Sequence, residues 1–344
     1  MISNTRRPKH RNRIRIMMMN EREKNMVEIT QKEAAEMLLQ HDSILVLMHK
    51  SPDGDTIGCG YALCLALRAC GKQAQPVCSD EVPAQYNYFT DSVPTQTFTP
   101  QFIVSVDVAD TQLLGDTLSV YRDKIDLCID HHGSNKRFAR YGIIEAAAPA
   151  CAQMLTGIIR EMGVPIQGAM ADALFTGLTT DTGCFRYASV TAETYRTAAY
   201  LVEQGAQNGT INRLMFETKS KAKVELEKLA MASLQYFCDE QIALICITTE
   251  MMQAAGAVDN DTESIPSLPR QIEGVKVAVT VKQKGEQDFR ISLRTTEEVD
   301  ASQICAQLGG GGHKAAAGCS YHGTLEETIE KMVALSVKAL ESSV

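Results

Sequence analysis

Three apolar runs of strand length recur in the first half of the chain, and each stops abruptly at acids or imidazoles. Residues 43–48 lead into His49-Lys50-Ser51-Pro52-Asp53-Gly54-Asp55, residues 101–106 into Asp107, and residues 125–129 into Asp130-His131-His132. Runs this continuous, without polar alternation, suit strands buried on both faces. Helical spacing separates them. Ala35, Leu38 and Leu39 mark a helix over 28–40, and Leu63, Leu65 and Leu67 mark one that opens at Thr56 and stops at Gly71. A short strand is expected over 75–78, and helices over 149–162, 166–180 and 191–204. The alternation predicts an α/β domain, a mostly parallel sheet with helices on both faces. In such sheets functional groups collect beyond the carboxyl ends of the strands. His49, Asp53, Asp55, Asp107, Asp130, His131 and His132 all fall at that end.

An acid followed by two imidazoles at a strand tip is costly to desolvate unless something binds there, and a metal ion is the usual reason. Two other readings compete for the triplet alone: a solvated turn, or an Asp that caps the next helix. Asp53-Gly54 is likewise a common turn signal. The chain holds only seven histidines, yet three separate strands deliver acids or imidazoles to one end. Together they predict a shared metal site. A further acid, Asp181, sits in Thr179-Thr180-Asp181-Thr182-Gly183 after an apolar helix, from which it can reach the site; by itself it also reads as a turn or cap. Cys184 next to it lacks a His–Asn arrangement and reads as a buried thiol rather than a nucleophile.

At 344 residues the chain is long for one core, which predicts two domains. Residues 27–218 form the catalytic domain in this reading, and 219–238 a connecting helix carrying Val224, Leu226, Leu229, Ala230 and Leu234. Residues 239–344 form a smaller α+β domain, with strands over 241–247, 275–281 and 289–294 and a terminal helix over 325–340. That domain contains Gly309-Gly310-Gly311-Gly312-His313-Lys314, after a helix over 301–308. Four glycines exceed what a helix end needs. They let backbone amides converge on an anion, with a following helix start adding its dipole; a flexible hinge is the alternative. Arg294, at the end of an alternating strand, adds a bidentate phosphate contact or is merely exposed.

The net charge of −8 argues against a general grip on long nucleic acid. Eleven cysteines without a Cys-x-x-Cys pair read as thiols of a reducing cytoplasm. No apolar run reaches membrane length, so no membrane partner is expected. Residues 1–26 differ in kind: Arg6, Arg7, Lys9, Arg11, Arg13 and Arg15 form a basic arm ending at Met17-Met18-Met19. A disordered extension, with initiation near those methionines, is preferred over a nucleic-acid-binding arm.

The spacing His49-x-x-x-Asp53-x-Asp55, then Asp107, Asp130-His131-His132 and Asp181, resembles the successive motifs of the DHH phosphoesterase superfamily. Arg294 and the stretch from Gly309 to Gly318 resemble its DHH-associated C-terminal domain. The resemblance runs from about residue 27 onward and is closest to the stand-alone nano-RNase (oligoribonuclease) and phosphoadenosine-phosphate phosphatase subgroup. It implies two manganese ions, one held by His49, Asp53 and Asp107 and the other by Asp55, Asp107, His131 and Asp181. It also implies that His132 contacts the phosphate or the leaving oxygen, with Asp130 orienting its neighbours. Arg294, Gly309, Gly310, Gly311, Gly312 and His313 would grip the substrate. The implied activity is hydrolysis of very short oligoribonucleotides, dinucleotides above all, to mononucleotides, and of phosphoadenosine phosphate to AMP. A cyclic or linear dinucleotide phosphodiesterase is the alternative, and a non-catalytic nucleotide sensor the alternative of another class. The expected partner is short RNA or a nucleotide, with no stable complex with long nucleic acid; a homodimer is the expected assembly. With no tryptophan in the chain, base stacking falls to Tyr, Phe, His or Arg side chains.

Overall fold

The structure, a computed structural model, describes residues 26–342. The basic arm therefore lies outside the described residues. The chain forms two compact units, one ending at Thr218 and the other beginning at Lys219.

The first unit is built on six strands: β1 (Val27–Glu28), β2 (Ile44–Leu47), β3 (Ala74–Val77), β4 (Phe102–Val106), β5 (Leu127–Asp130) and β6 (Tyr141–Ile144). Their order is β1-β6-β5-β4-β2-β3, and every pairing is parallel. The chain runs from β2 outward to the edge strand β3 and then returns to β4 on the other side of β2. That reversal opens a crevice beyond the carboxyl ends of β2 and β4, where ligands of such sheets bind. Asp107 follows β4 directly, and His49 follows β2 after Met48.

Alternate residues of the apolar runs serve opposite faces. Ile44, Val46, Val104, Val106 and Ile129 pack with the helices Gln31–Gln40, Gly54–Ala69, Cys151–Glu161 and Ala169–Asp181. Leu45, Leu47, Ile103 and Cys128 pack on the other face against Leu114, Leu118 and Tyr121, where the covering helices are short 3-10 turns. The first helix begins at Gln31 rather than 28, because Val27–Glu28 pairs with β6 and Thr30 forms a capping box with Glu33. Strands β1 and β6 carry too short an apolar signal to be read beforehand. The helices Gly54–Ala69 and Ala169–Asp181 approach almost backbone to backbone. A Cβ on Gly58 would lie 2.3 Å from the Ala173 carbonyl oxygen, and one on Gly177 would lie 2.6 Å from Asp55 Oδ1.

The second unit is a mixed six-stranded sheet of order β11-β12-β10-β9-β8-β7. Its strands are β7 (Gln235–Phe237), β8 (Ile242–Ile247), β9 (Val277–Gln283), β10 (Asp288–Thr295), β11 (Gly311–His313) and β12 (Ala316–His322). Only β8 and β9 pair parallel. The helices Ala301–Ala306 and Leu325–Glu341 cover one face.

Two expectations need correction here. The helix expected over 219–238 spans only Lys221–Ala232. It stops at Ser233, whose hydroxyl donates to the Ala230 carbonyl and accepts from the Cys246 amide, and the following aromatic pair Tyr236-Phe237 extends along β8. Leu226 and Ala230 are buried against Ile245 and Ile247, so this helix covers the sheet of the second unit. The glycine run, in turn, does not lead into a helix. Gly311–His313 and Ala316–His322 form a β-hairpin, so no helix dipole acts there. The hairpin accounts for part of the glycine content: a Cβ on Gly312 would meet the Ala316 oxygen and the Ala317 Cα at 2.6 Å, and its φ of +147° suits glycine. Among the described residues, no helix is long and apolar enough to cross a membrane.

Candidate metal centre

Seven of the acids and imidazoles singled out in the sequence meet in the crevice of the first unit. His49 Nε2 lies 3.6 Å from Asp53 Oδ1 and 3.7 Å from Asp107 Oδ2. His131 Nε2 lies 3.1 Å from Asp181 Oδ2, 3.4 Å from Asp107 Oδ1 and 4.0 Å from Asp55 Oδ2. Their donor atoms form the groups His49–Asp53–Asp107 and Asp55–His131–Asp181, and a third group joins Asp107 and His131 to His132. Asp107 stands between the first and third groups and beside the second.

Each side chain has a local reason for its place. Asp53 caps the helix Gly54–Ala69, accepting from the amides of Asp55 and Thr56. The cap reading and the ligand reading are thus compatible. Asp55, fully buried, accepts from the Cys151 amide at 2.6 Å and the Ala152 amide at 3.0 Å, at the start of the helix Cys151–Glu161. Asp181 arrives on the last residue of its helix, brought close by the glycine contacts described above. Asp107 has a φ of +57° and is 2% exposed. A left-handed conformation costs a non-glycine residue about 1–3 kcal/mol, and such strain collects at functional sites.

Both ligand-type histidines are oriented through their far nitrogen. Nδ1 of His49 meets the Lys50 carbonyl at 2.8 Å, and Nδ1 of His131 meets the Ala148 carbonyl at 3.0 Å. With Nδ1–H donating, each neutral ring would turn an Nε2 lone pair toward the carboxylates, the tautomer that metal-binding imidazoles adopt once a cation displaces the Nε2 proton. Burial opposes charge on His49, yet Asp53 and Asp107 beside it draw its pKa up to about 9. Burial opposes charge on His131 too, and Asp107, Asp181 and Asp55 together draw it up to about 12. Burial, reinforced by neighbouring carboxylates, raises Asp55 and Asp107. The crevice therefore concentrates negative charge that calls for cations. Asp107 Oδ1 and His131 Nε2 are buried and lack any hydrogen-bond partner. Unpaired buried polar atoms are expensive, and a divalent cation between oxygen and nitrogen donors satisfies both. The residues fit a metal.

Asp130 behaves differently. It is fully buried, and its Oδ1 accepts from the His131 amide at 2.9 Å and from His132 Nδ1 at 2.8 Å. Its Oδ2 accepts from Asn135 Nδ2 at 2.6 Å. Asp130 belongs to none of the donor groups among the described residues; it aims His132. Asn135, whose amide also donates to the Val108 carbonyl at 3.0 Å, escaped the sequence reading. Gly133-Ser134-Asn135 looks like any polar turn. The Ala148 carbonyl and the Cys151 and Ala152 amides escaped as well, because backbone groups leave no compositional trace. Cys184 is half-buried, not buried as expected. It lies in a left-handed stretch, Gly183, Cys184 and Phe185, with φ of +57°, +59° and +61°.

The residues singled out in the second unit lie on its own sheet. Arg294 pairs across strands with Ala316, which in turn pairs with His313. Cross-strand partners share a face, so the guanidinium and the imidazole stand on one row. Gly309, Gly311, Gly312 and His313 are exposed, and Gly310 is half-buried.

Comparison with known proteins agrees with these features. The DHH family, N-terminal domain, matches residues 43–178, and the DHHA1 domain matches residues 246–342. A bifunctional oligoribonuclease and PAP phosphatase NrnA of Thermus thermophilus is 31% identical over 298 residues, covering 84% of this chain and 88% of that protein. Among solved structures, an exopolyphosphatase-related protein from Bacteroides fragilis gives a TM-score of 0.81 at 24% identity, covering 91% of this chain and 96% of that one. The exonuclease RecJ bound to manganese gives 0.50 at 12% identity, over 91% and 94%. Both structural likenesses speak for the fold.

Proposed function

Because the chain belongs to the DHH family and is a phosphoester hydrolase, we propose that it cleaves very short oligoribonucleotides to mononucleotides and phosphoadenosine phosphate to AMP, with two manganese ions as cofactor. The observation that carries this reading is the pair of donor groups flanking Asp107, with two buried donor atoms otherwise unpaired. His49, Asp53 and Asp107 would hold one ion, and Asp55, Asp107, His131 and Asp181 the other. Mixed carboxylate and imidazole donors suit manganese, the metal named with the RecJ structure. When bound, such a pair supplies the water-activating and charge-neutralising chemistry of phosphoester hydrolysis.

The chain's own groups supply the rest. The bond from Asp130 raises His132 above its ordinary pKa, against the opposing effect of burial. The raised pKa favours the protonated imidazole, the form that would pass a proton to the leaving oxygen. Arg294, His313 and the amides of Gly309, Gly310, Gly311 and Gly312 would bind a further substrate phosphate. The close relation to the Thermus oligoribonuclease and PAP phosphatase supports that substrate class. Eleven free cysteines suit a cytoplasmic setting, and a homodimer is the assembly we propose with it.

One assay tests the substrate reading. Dinucleotides, phosphoadenosine phosphate, cyclic dinucleotides, longer RNA and inorganic pyrophosphate are offered separately with manganese. Dinucleotides and phosphoadenosine phosphate are expected to turn over fastest. Preference for pyrophosphate would overturn the reading, and preference for cyclic dinucleotides would replace it with the second-messenger alternative.

A further inference from the structure

The segment just after Asp181 is shaped for something the metal chemistry does not use. Thr182 is fully buried and ties the turn together: its carbonyl accepts from the amides of Arg186 at 3.0 Å and Tyr187 at 3.2 Å, and its hydroxyl accepts from the Phe185 amide at 3.1 Å. This holds Gly183, Cys184 and Phe185 in their left-handed conformation. The ring of Tyr187 lies against the turn; a Cβ on Gly183 would sit 2.4 Å from its Cζ. Phe185 is anchored in the core beside Phe175 and stacks on Tyr195, with centroids 5.6 Å apart and planes 23° apart. Arg186 donates to the Gly183 carbonyl and places its guanidinium 5.9 Å from the Phe216 ring.

Two aromatic side chains remain open to solvent: Tyr187 is 54% exposed and Tyr195 56%. Gly183 follows Asp181 by two residues, and consecutive Cα atoms are about 3.8 Å apart. The Tyr187 ring thus lies within about a nucleoside's length of the candidate metal ligand Asp181. Exposed aromatic faces beside a phosphate-cleaving centre are what nucleobases stack on, with little regard for base identity. Without tryptophan, the chain has only Tyr, Phe, His and Arg for that task.

We propose that Tyr187, with Tyr195 supported on Phe185, forms the stacking platform for a nucleobase of the substrate whose scissile phosphate lies at the metal centre. This assignment deepens the phosphoesterase reading above and rests on it. Tyr187 and Tyr195 would be specificity determinants that distinguish a nucleotide phosphoester from an inorganic one.

The test compares pApA with analogues abasic at the 5′ or the 3′ position, using wild type, Tyr187→Ala, Tyr195→Ala and Tyr187→Phe. Loss of one stacked base costs about 5- to 150-fold. Tyr187→Ala is therefore expected to raise KM for pApA within that range with kcat nearly kept, and Tyr187→Phe to restore it. On the abasic analogue that lacks the stacked base, the penalty of Tyr187→Ala should shrink toward one. An unchanged KM in both alanine variants, or an equal penalty on pApA and both abasic analogues, overturns the platform while leaving the substrate class standing. A wild-type enzyme that ignores pApA but cleaves pyrophosphate overturns both.

Discussion

At the scale of single residues, Asp107 bears the most. It is buried, held at a left-handed φ, and close to both ligand-type histidines. Asp107→Asn keeps its volume and removes its charge. Turnover should fall by more than about 100-fold, beyond what loss of an orienting partner alone brings, and calorimetry should show weakened manganese binding. Asn135 acts through another group. Asn135→Ala releases Asp130 and with it His132, so kcat should drop roughly 10- to 100-fold while manganese affinity stays close to wild type. The histidines also set a pH dependence. Both are drawn above their ordinary pKa, His49 to about 9, so without a cation they are protonated at neutral pH. A metal ion must displace those protons. Affinity should therefore tighten as pH rises from 6.5 toward 9, with proton release visible in buffers of different ionisation enthalpy; affinity independent of pH would contradict the assigned ligands. The residue types at the centre were legible beforehand because strand ends concentrate them. Asn135 was not, since its role depends on a hydrogen bond that sequence does not display.

At the scale of elements, the site depends on how closely two helices approach. Gly177 admits the carboxylate of Asp55 where a side chain would stand, and Gly58 admits the backbone at Ala173. Gly177→Val should destabilise the protein by about 1–3 kcal/mol through overpacking, read by chemical denaturation. It should also weaken metal binding, because Asp55 must move. Strands β2, β4 and β5 were legible because their apolar runs are continuous. Strands β1 and β6 were not, being short segments whose pairing depends on each other across more than 100 residues. The glycine run shows the opposite case. Its composition was plain, but whether a helix or a hairpin follows depends on β12 finding β10 as a partner.

At the scale of the whole molecule, ion binding should add stability. A cation at 100 times its Kd contributes about 2.7 kcal/mol to the folded state, so manganese should raise Tm and a chelator should lower it. The acidic net charge of −8 suits small substrates. For a single strand, each phosphate contact contributes a slope of about −0.7 in a plot of log affinity against log salt. A dinucleotide with two contacts should then give roughly −1.4, and a much steeper slope would bring the basic residues 1–20 into the binding account. By itself, the sequence determined the parallel sheet, the end of it that carries the acids and imidazoles, and the metal chemistry they suit, because hydrophobic periodicity and residue type act locally. Only the tertiary structure supplied the distances that bring these donors together around Asp107, the hydrogen bonds that tie Asp130 to His132 and Asn135, and the aromatic faces left open near Asp181. Those outcomes depend on distances between residues far apart in the chain, set by strand order, by glycine contacts between helices and by backbone groups that composition does not reveal.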